Sequence, residues 1–295
     1  MNAIRSLLLA VALLPPGVQA QTTFARVEGY ALLSNGPSGS DVQDVDEVFG
    51  NGPVQTSANA RVRAPAGGIR GGGVAAADFG KVGAFVEGLI YTQDPGSTSA
   101  HARSFFSDTL TFDAAGLTGL AGRVTVAYRL GGALHAQATE GGLATASLSM
   151  TGRFDNTFGS AHGWLTNENG NVTGTGGPIA SDGNPSFIML TADIVWGQSY
   201  ETSFESYAST WVTSNGGYEA RALVDAPFAG TWGGIVSATH DGVDVAGFTV
   251  SALSGTDYSR AFAIPPPVPE APQMPLLLAG LALVAGWTRR RTRRN

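Results

Sequence analysis

Cysteine is absent from all 295 residues, which excludes disulfides, thiolate metal sites and a cysteine nucleophile together. Lysine is reduced to Lys81, and charged residues make up only 14% of the chain. Between the two ends no stretch keeps a helical period for more than about three turns. Local catalytic signatures are missing too: there is no G-x-S-x-G elbow, no H-E-x-x-H and no P-loop. The four histidines, His101, His135, His162 and His240, stand singly, so a zinc site would need convergence from distant segments. A non-enzymatic chain is the expectation.

What is abundant is glycine, 41 residues spread without a G-X-Y period, which excludes collagen and suits many turns. Short alternating runs lie between them. Val124, Val126, Tyr128 and Leu130 alternate with Arg123, Thr125, Ala127 and Arg129, as in a half-buried strand. Leu148, Met150, Gly152 and Phe154 repeat the pattern, and Phe187 to Trp196 is apolar enough for a central strand covered on both faces. Further strands are predicted at 24–33, 74–91, 104–112, 200–212, 218–225, 231–239 and 246–253. Ten or so strands with regular turns point to an all-β fold, a β-sandwich of jelly-roll-like type, over residues 21–264. Two polar, turn-rich segments, 34–53 and 167–186, read as long loops, and the second leaves open a division into two small β domains. Gly71-Gly72-Gly73 after Arg70 reads as a bend at a strand entry rather than an anion nest, because no Lys-Ser/Thr follows.

The ends have a different character. Arg5, the apolar Leu7 to Leu14, the helix-breaking Pro15-Pro16-Gly17 and small residues up to Ala20 follow the order of a cleavable secretory signal peptide, with the cut before Gln21. At the other end Pro265-Pro266-Pro267 opens an extended spacer, 265–273, that contains Val268-Pro269-Glu270-Ala271-Pro272. An apolar segment, 274–287, then precedes a basic end, 288–295, with Arg289, Arg290, Arg291, Arg293 and Arg294. Fourteen helical residues measure about 21 Å against a hydrocarbon core of about 30 Å, marginal for a permanent anchor. The arginines should stay cytoplasmic, leaving the body outside the inner membrane. An ordinary single-span anchor is the competing reading.

Over 267–294 this tail resembles the PEP-CTERM sorting signal of Gram-negative bacteria. Ala271 stands where that family usually carries a second proline, with Pro272 one place later. The resemblance implies handling by the export machinery, passage through the inner membrane, and processing by an exosortase-type membrane peptidase. It also implies delivery to the cell surface or an extracellular matrix rich in exopolysaccharide.

Residues 21–264 carry 11 basic against 22 acidic side chains, a net charge of −11 that disfavours nucleic acid as a partner. Within this body Asp41, Asp44, Asp46 and Glu47 form a carboxylate cluster that could hold calcium, although Glu47 occupies the place where an EF-hand loop needs glycine. A solvated loop is the alternative. Asp241 and Asp244 beside His240 make a weaker cluster, and Asp241-Gly242 is equally a hairpin turn. Glu201 and Glu205 invite comparison with a glycosidase pair, but strand residues four apart are separated by about 13 Å. Trp196, Tyr200, Tyr207, Trp211, Tyr218 and Trp232 concentrate in the second half. Such rings either fill a sandwich core or stack on sugars. Tyr207 and Trp211, on the face of Glu201 and Glu205, are the candidate carbohydrate contacts. The expected role is structural or adhesive, with a carbohydrate-binding or carbohydrate-active module as the alternative.

Overall fold

The computed structural model describes residues 21–34, 41–64, 67–175, 186–216 and 218–262. The chain divides into two units, Met1–Phe262 and Ala263–Asn295. The signal peptide, the sorting motif Val268 to Pro272, the apolar segment and the arginine cluster all lie outside the described residues.

Alternation of small or apolar with polar residues writes the first unit as strands. These are β1 (Thr22–Leu33), β2 (Asp41–Gly50), β3 (Val54–Ala64), β4 (Gly67–Asp78), β5 (Lys81–Thr92), β6 (Gly96–Asp113), β7 (Ala121–Leu130) and β8 (Ala133–Ala138). There follow β9 (Gly142–Phe154), β10 (Thr157–Glu168), β11 (Asn171–Thr175), β12 (Ser186–Val195), β13 (Ser199–Ser214), β14 (Tyr218–His240), β15 (Val243–Asp244) and β16 (Thr249–Ala252). All recorded pairings are antiparallel, and no helix occurs among the described residues. One sheet runs β11-β10-β9-β13-β6-β1-β2, with β16 also on β6. The other runs β12-β7-β14-β5-β4-β3, with β8 and β15 also on β14.

The two sheets pack as a β-sandwich, and strict inward–outward alternation makes its core. In β1 every second residue, from Thr23 through Ala25, Val27 and Ala31 to Leu33, is buried. The filling is uneven. Where the middles of β1, β4 and β6 meet, alanine and glycine are frequent, and a Cβ on Gly29 would lie 2.2 Å from the Gly71 carbonyl oxygen of the opposite sheet. Elsewhere it is aromatic: Phe204 of β13 lies 4.9 Å from the Tyr128 ring, which meets Trp232 edge-on, and Trp232 in turn meets Tyr258. Tyr258 also binds the core through its carbonyl, which accepts the Trp232 Nε1–H at 3.0 Å.

Several sequence expectations change. Gly71-Gly72-Gly73 lie inside β4, not at a strand entry, and a Cβ on Gly71 would lie 2.5 Å from the Ser99 carbonyl oxygen of the facing sheet. Residues 41–50 form strand β2 on the rim of the sandwich rather than loop. Their polarity reflects that place, since nearly the whole strand is exposed. Asn167 and Glu168 end β10 and 171–175 form β11, so most of the described part of the second loop is hairpin. Phe187 to Trp196 is not a central strand: β12 is at the edge, with Ile188, Leu190, Ala192 and Ile194 buried and Phe187 and Met189 exposed. A continuous apolar run does not show how many faces are covered.

Candidate functional site

The central strand of the first sheet carries the candidate carbohydrate contacts. In β13 Phe204, Ser206, Ala208, Thr210 and Val212 turn inward, which sends Tyr207 and Trp211 outward with exposures of 41% and 54%. The second-half aromatics therefore divide. Trp196 and Trp232 are fully buried and Tyr200 packs against the core, whereas Tyr207 and Trp211 face solvent. The side chain of Tyr218 lies outside the described residues.

Antiparallel register shows what surrounds the two rings. Trp211 stands between Ser99 of β6 and Thr145 of β9, and Tyr30 of β1 lies beyond Ser99 in the same row. Tyr207 stands between Arg103 and Ser149, and Ser209 between His101 and Ser147. Trp164 of β10 follows Ser147 in that row. At about 4.8 Å between strands, Tyr30 and Trp211 are roughly 10 Å apart, with Ser99 between them. Hydroxyls in the Ser209 and Trp211 rows exchange hydrogen bonds, Ser147 with Ser209 at 2.7 Å and Thr145 with Thr166 at 3.1 Å.

Most of the charges on this face are paired within it. Arg103 donates to both oxygens of Glu205, at 2.7 and 3.1 Å, and Arg26 lies within 3.7 Å of both Glu28 and Glu47. His101 stacks on Tyr207, with ring centroids 5.9 Å apart, and its Nδ1 is 3.0 Å from the Tyr207 hydroxyl. Burial holds the His101 pKa below its ordinary value, against an upward pull from Glu28, which favours the neutral ring. Burial, helped by Glu28, raises that of Tyr207. The result is an outward surface, or platform, of aromatic rings and hydroxyls whose charged groups are largely ion-paired.

The other candidates fare differently. Glu205 is engaged by Arg103, and Glu201 accepts from Ser107 Oγ at 3.1 Å, so each carboxylate has its own partner rather than facing the other. In β2, alternation places Asp41 on the opposite face from Asp44 and Asp46. The latter two accept hydrogen bonds from β3, Asp44 from the Asn59 N–H at 2.7 Å and Asp46 from the Thr56 hydroxyl. They tie the rim strand to the facing sheet. Among the described residues no group of three or more metal-ligating side chains converges. Asp241-Gly242 makes the two-residue turn between β14 and β15, with φ of 51° and 77°, as a type I′ hairpin requires. His240 donates from Nδ1 to the Ala121 carbonyl at 2.6 Å.

Of the platform, sequence reasoning found Tyr207 and Trp211 but missed Tyr30, His101, Arg103 and Trp164. Alternation gives each residue's face, but only the strand order brings β1, β6, β9, β10 and β13 side by side. Compared with known proteins, the chain matches no family model, no curated protein and no solved structure.

Proposed function

We propose that this chain is an exported, non-enzymatic adhesive protein that attaches to neutral polysaccharide through the outer face of its first sheet. The observation that carries the reading is the exposure of Tyr207 and Trp211 on a central strand, bordered by hydroxyls and compensated ion pairs. Sugar rings present apolar C–H faces and a rim of hydroxyls, which such a surface meets with ring stacking and short hydrogen bonds. A long polymer needs no deep pocket, because many shallow contacts add along its length.

The ends supply the routing in this reading. A signal peptide ending at Ala20 starts export, and the tail resembling PEP-CTERM holds the chain at the inner membrane for an exosortase-type peptidase. The sandwich, jelly-roll-like in that chain-distant strands such as β1, β6 and β13 lie side by side, is then released to the surface or matrix. Glu201 and Glu205, each held by a separate partner, favour binding over cleavage.

The test is retention of the full chain on immobilised exopolysaccharide from the producing cells. Trp211→Ala and Tyr207→Ala together should lower retention by about tenfold or more, corresponding to about 1.4 kcal/mol. The chain length of the polysaccharide should stay unchanged. Equal retention of wild type and double variant, or shortening of the polymer, would sink the proposal.

A further inference from the structure

The outer face of the second sheet, opposite the platform, holds a groove of about 390 Å³. Register builds it around a missing side chain. Gly72 of β4 lies directly between Glu87 of β5 and Asn59 of β3. Arg70 and Val74 stand two residues away on the same strand face, so bare backbone forms a floor about 13 Å long between them. Phe85, 37% exposed, lines one side, Ser57 lines another, and Asp44 of β2 closes the rim.

The polar groups in this groove are held in place yet keep capacity. Glu87, whose side chain is only 13% exposed, accepts from Arg70 at 2.5 Å and from Arg221 at 2.8 Å. Arg70 then retains N–H donors, and each Glu87 oxygen retains acceptor capacity. Asp44 is fixed by the Asn59 backbone N–H at 2.7 Å. The Asn59 amide and Ser57 hydroxyl have no side-chain hydrogen bond among the described residues.

We infer that this groove is a second carbohydrate site, one that takes a single neutral sugar ring or a disaccharide. Its size lies at the small end of ordinary ligand sites, about 300–1,000 Å³. The chemistry selects the class. Glu87 and Asp44 repel an anion, Arg70 repels a cation, and donors interleaved with acceptors match a hydroxyl, which is both. Phe85 offers a ring face to the apolar side of a pyranose. The site stands on its own residues and does not depend on the first-sheet platform. With both occupied, one molecule holds glycan on two opposite faces and joins separate chains.

The test is NMR on the full chain with methyl glycosides of glucose, galactose, mannose and N-acetylglucosamine, and with inorganic phosphate as an anionic probe. At least one glycoside should shift the Asn59 side-chain amide and receive saturation from the Phe85 ring. Asn59→Ala and Phe85→Ala, both at outward positions, should each weaken that binding about tenfold. The platform double variant of Trp211 and Tyr207 should leave it unchanged. The inference fails if no glycoside acts on these residues, if binding survives both groove substitutions, if phosphate binds there instead, or if only the platform variant abolishes binding. Loss of polymer retention in the platform variant with groove binding intact separates the two sites.

Discussion

A methyl group added at Gly230 would sit 1.9 Å from Cε1 of Phe204, a ring that is 1% exposed and packed against Tyr128. Nothing there can yield cheaply, since the ring is hemmed in by its neighbours. Gly230→Ala should therefore destabilise by about 1–3 kcal/mol, seen as a lower urea midpoint with an unchanged slope. Tyr128 itself makes a pH prediction. Its hydroxyl donates to the Arg153 carbonyl at 2.9 Å and bonds Thr202, and burial pushes its pKa far above the ordinary value of 10.0. Tyr258 is displaced upward as well, by burial first and then by the nearby Asp108. Above pH 10 the unfolded chain releases these protons while the folded chain keeps them, so stability falls as pH rises. Tyr128→Phe should make that fall shallower in alkaline denaturation, while costing about 1–3 kcal/mol at pH 7 through the abandoned Thr202 and Arg153 groups.

Strand β12 shows what a sequence pattern conveys and what it withholds. Both its faces carry large apolar residues, yet it pairs only with β7 among the described residues, and exposures of 49% at Phe187 and 56% at Met189, with Thr191 and Asp193 beside them, mark an outer face. Met189→Lys should leave stability within about 0.5 kcal/mol of wild type. Ile188→Lys, one residue away, should cost about 3 kcal/mol or more, because it buries an unpaired charge. Thermal unfolding of the two variants checks the register directly, and a reversed order would mean the strand is turned over. Where one face was buried and the other polar, as in β7 and β9, alternation located the strand and its inward residues. The hairpin at Asn169-Gly170, with φ of 53° and 84°, lies in a segment whose polar residues read as loop. The predicted strands at 218–225 and 231–239 are one strand, β14, whose register shifts between Ala226 and Gly230, around Pro227. Proline cannot donate to the ladder, and the bulge accommodates it. Of the groove on the second sheet, only Arg70 and Gly71-Gly72-Gly73 stood out locally, and they read as a bend. Asn59 and Glu87 are unremarkable until three strands place them in one row with Gly72.

For the whole molecule, the proposed routing makes charge a measurable consequence of processing. The complete chain has a net charge of −6, and six of its arginines lie in the two ends. A form spanning residues 21–270 would keep 11 basic and 23 acidic side chains, a net charge of −12. Such a change favours solubility in a matrix and removes the groups that resist translocation. Intact mass of the protein recovered from culture medium should correspond to a start at Gln21 and an end close to Glu270, eluting later from an anion exchanger than the unprocessed chain. Replacing Val268, Pro269 and Glu270 with alanine should leave the apolar segment in place and hold the protein in washed membranes with Asn295 intact. The mismatch between about 21 Å of helix and about 30 Å of hydrocarbon adds a second expectation. The uncut variant should be extracted by milder detergent than a full-length span needs, because a short helix strains the bilayer around it. If the wild type instead keeps Asn295 wherever it is found, the tail is an anchor, and the proposed glycan binding would take place at the membrane surface rather than in the matrix.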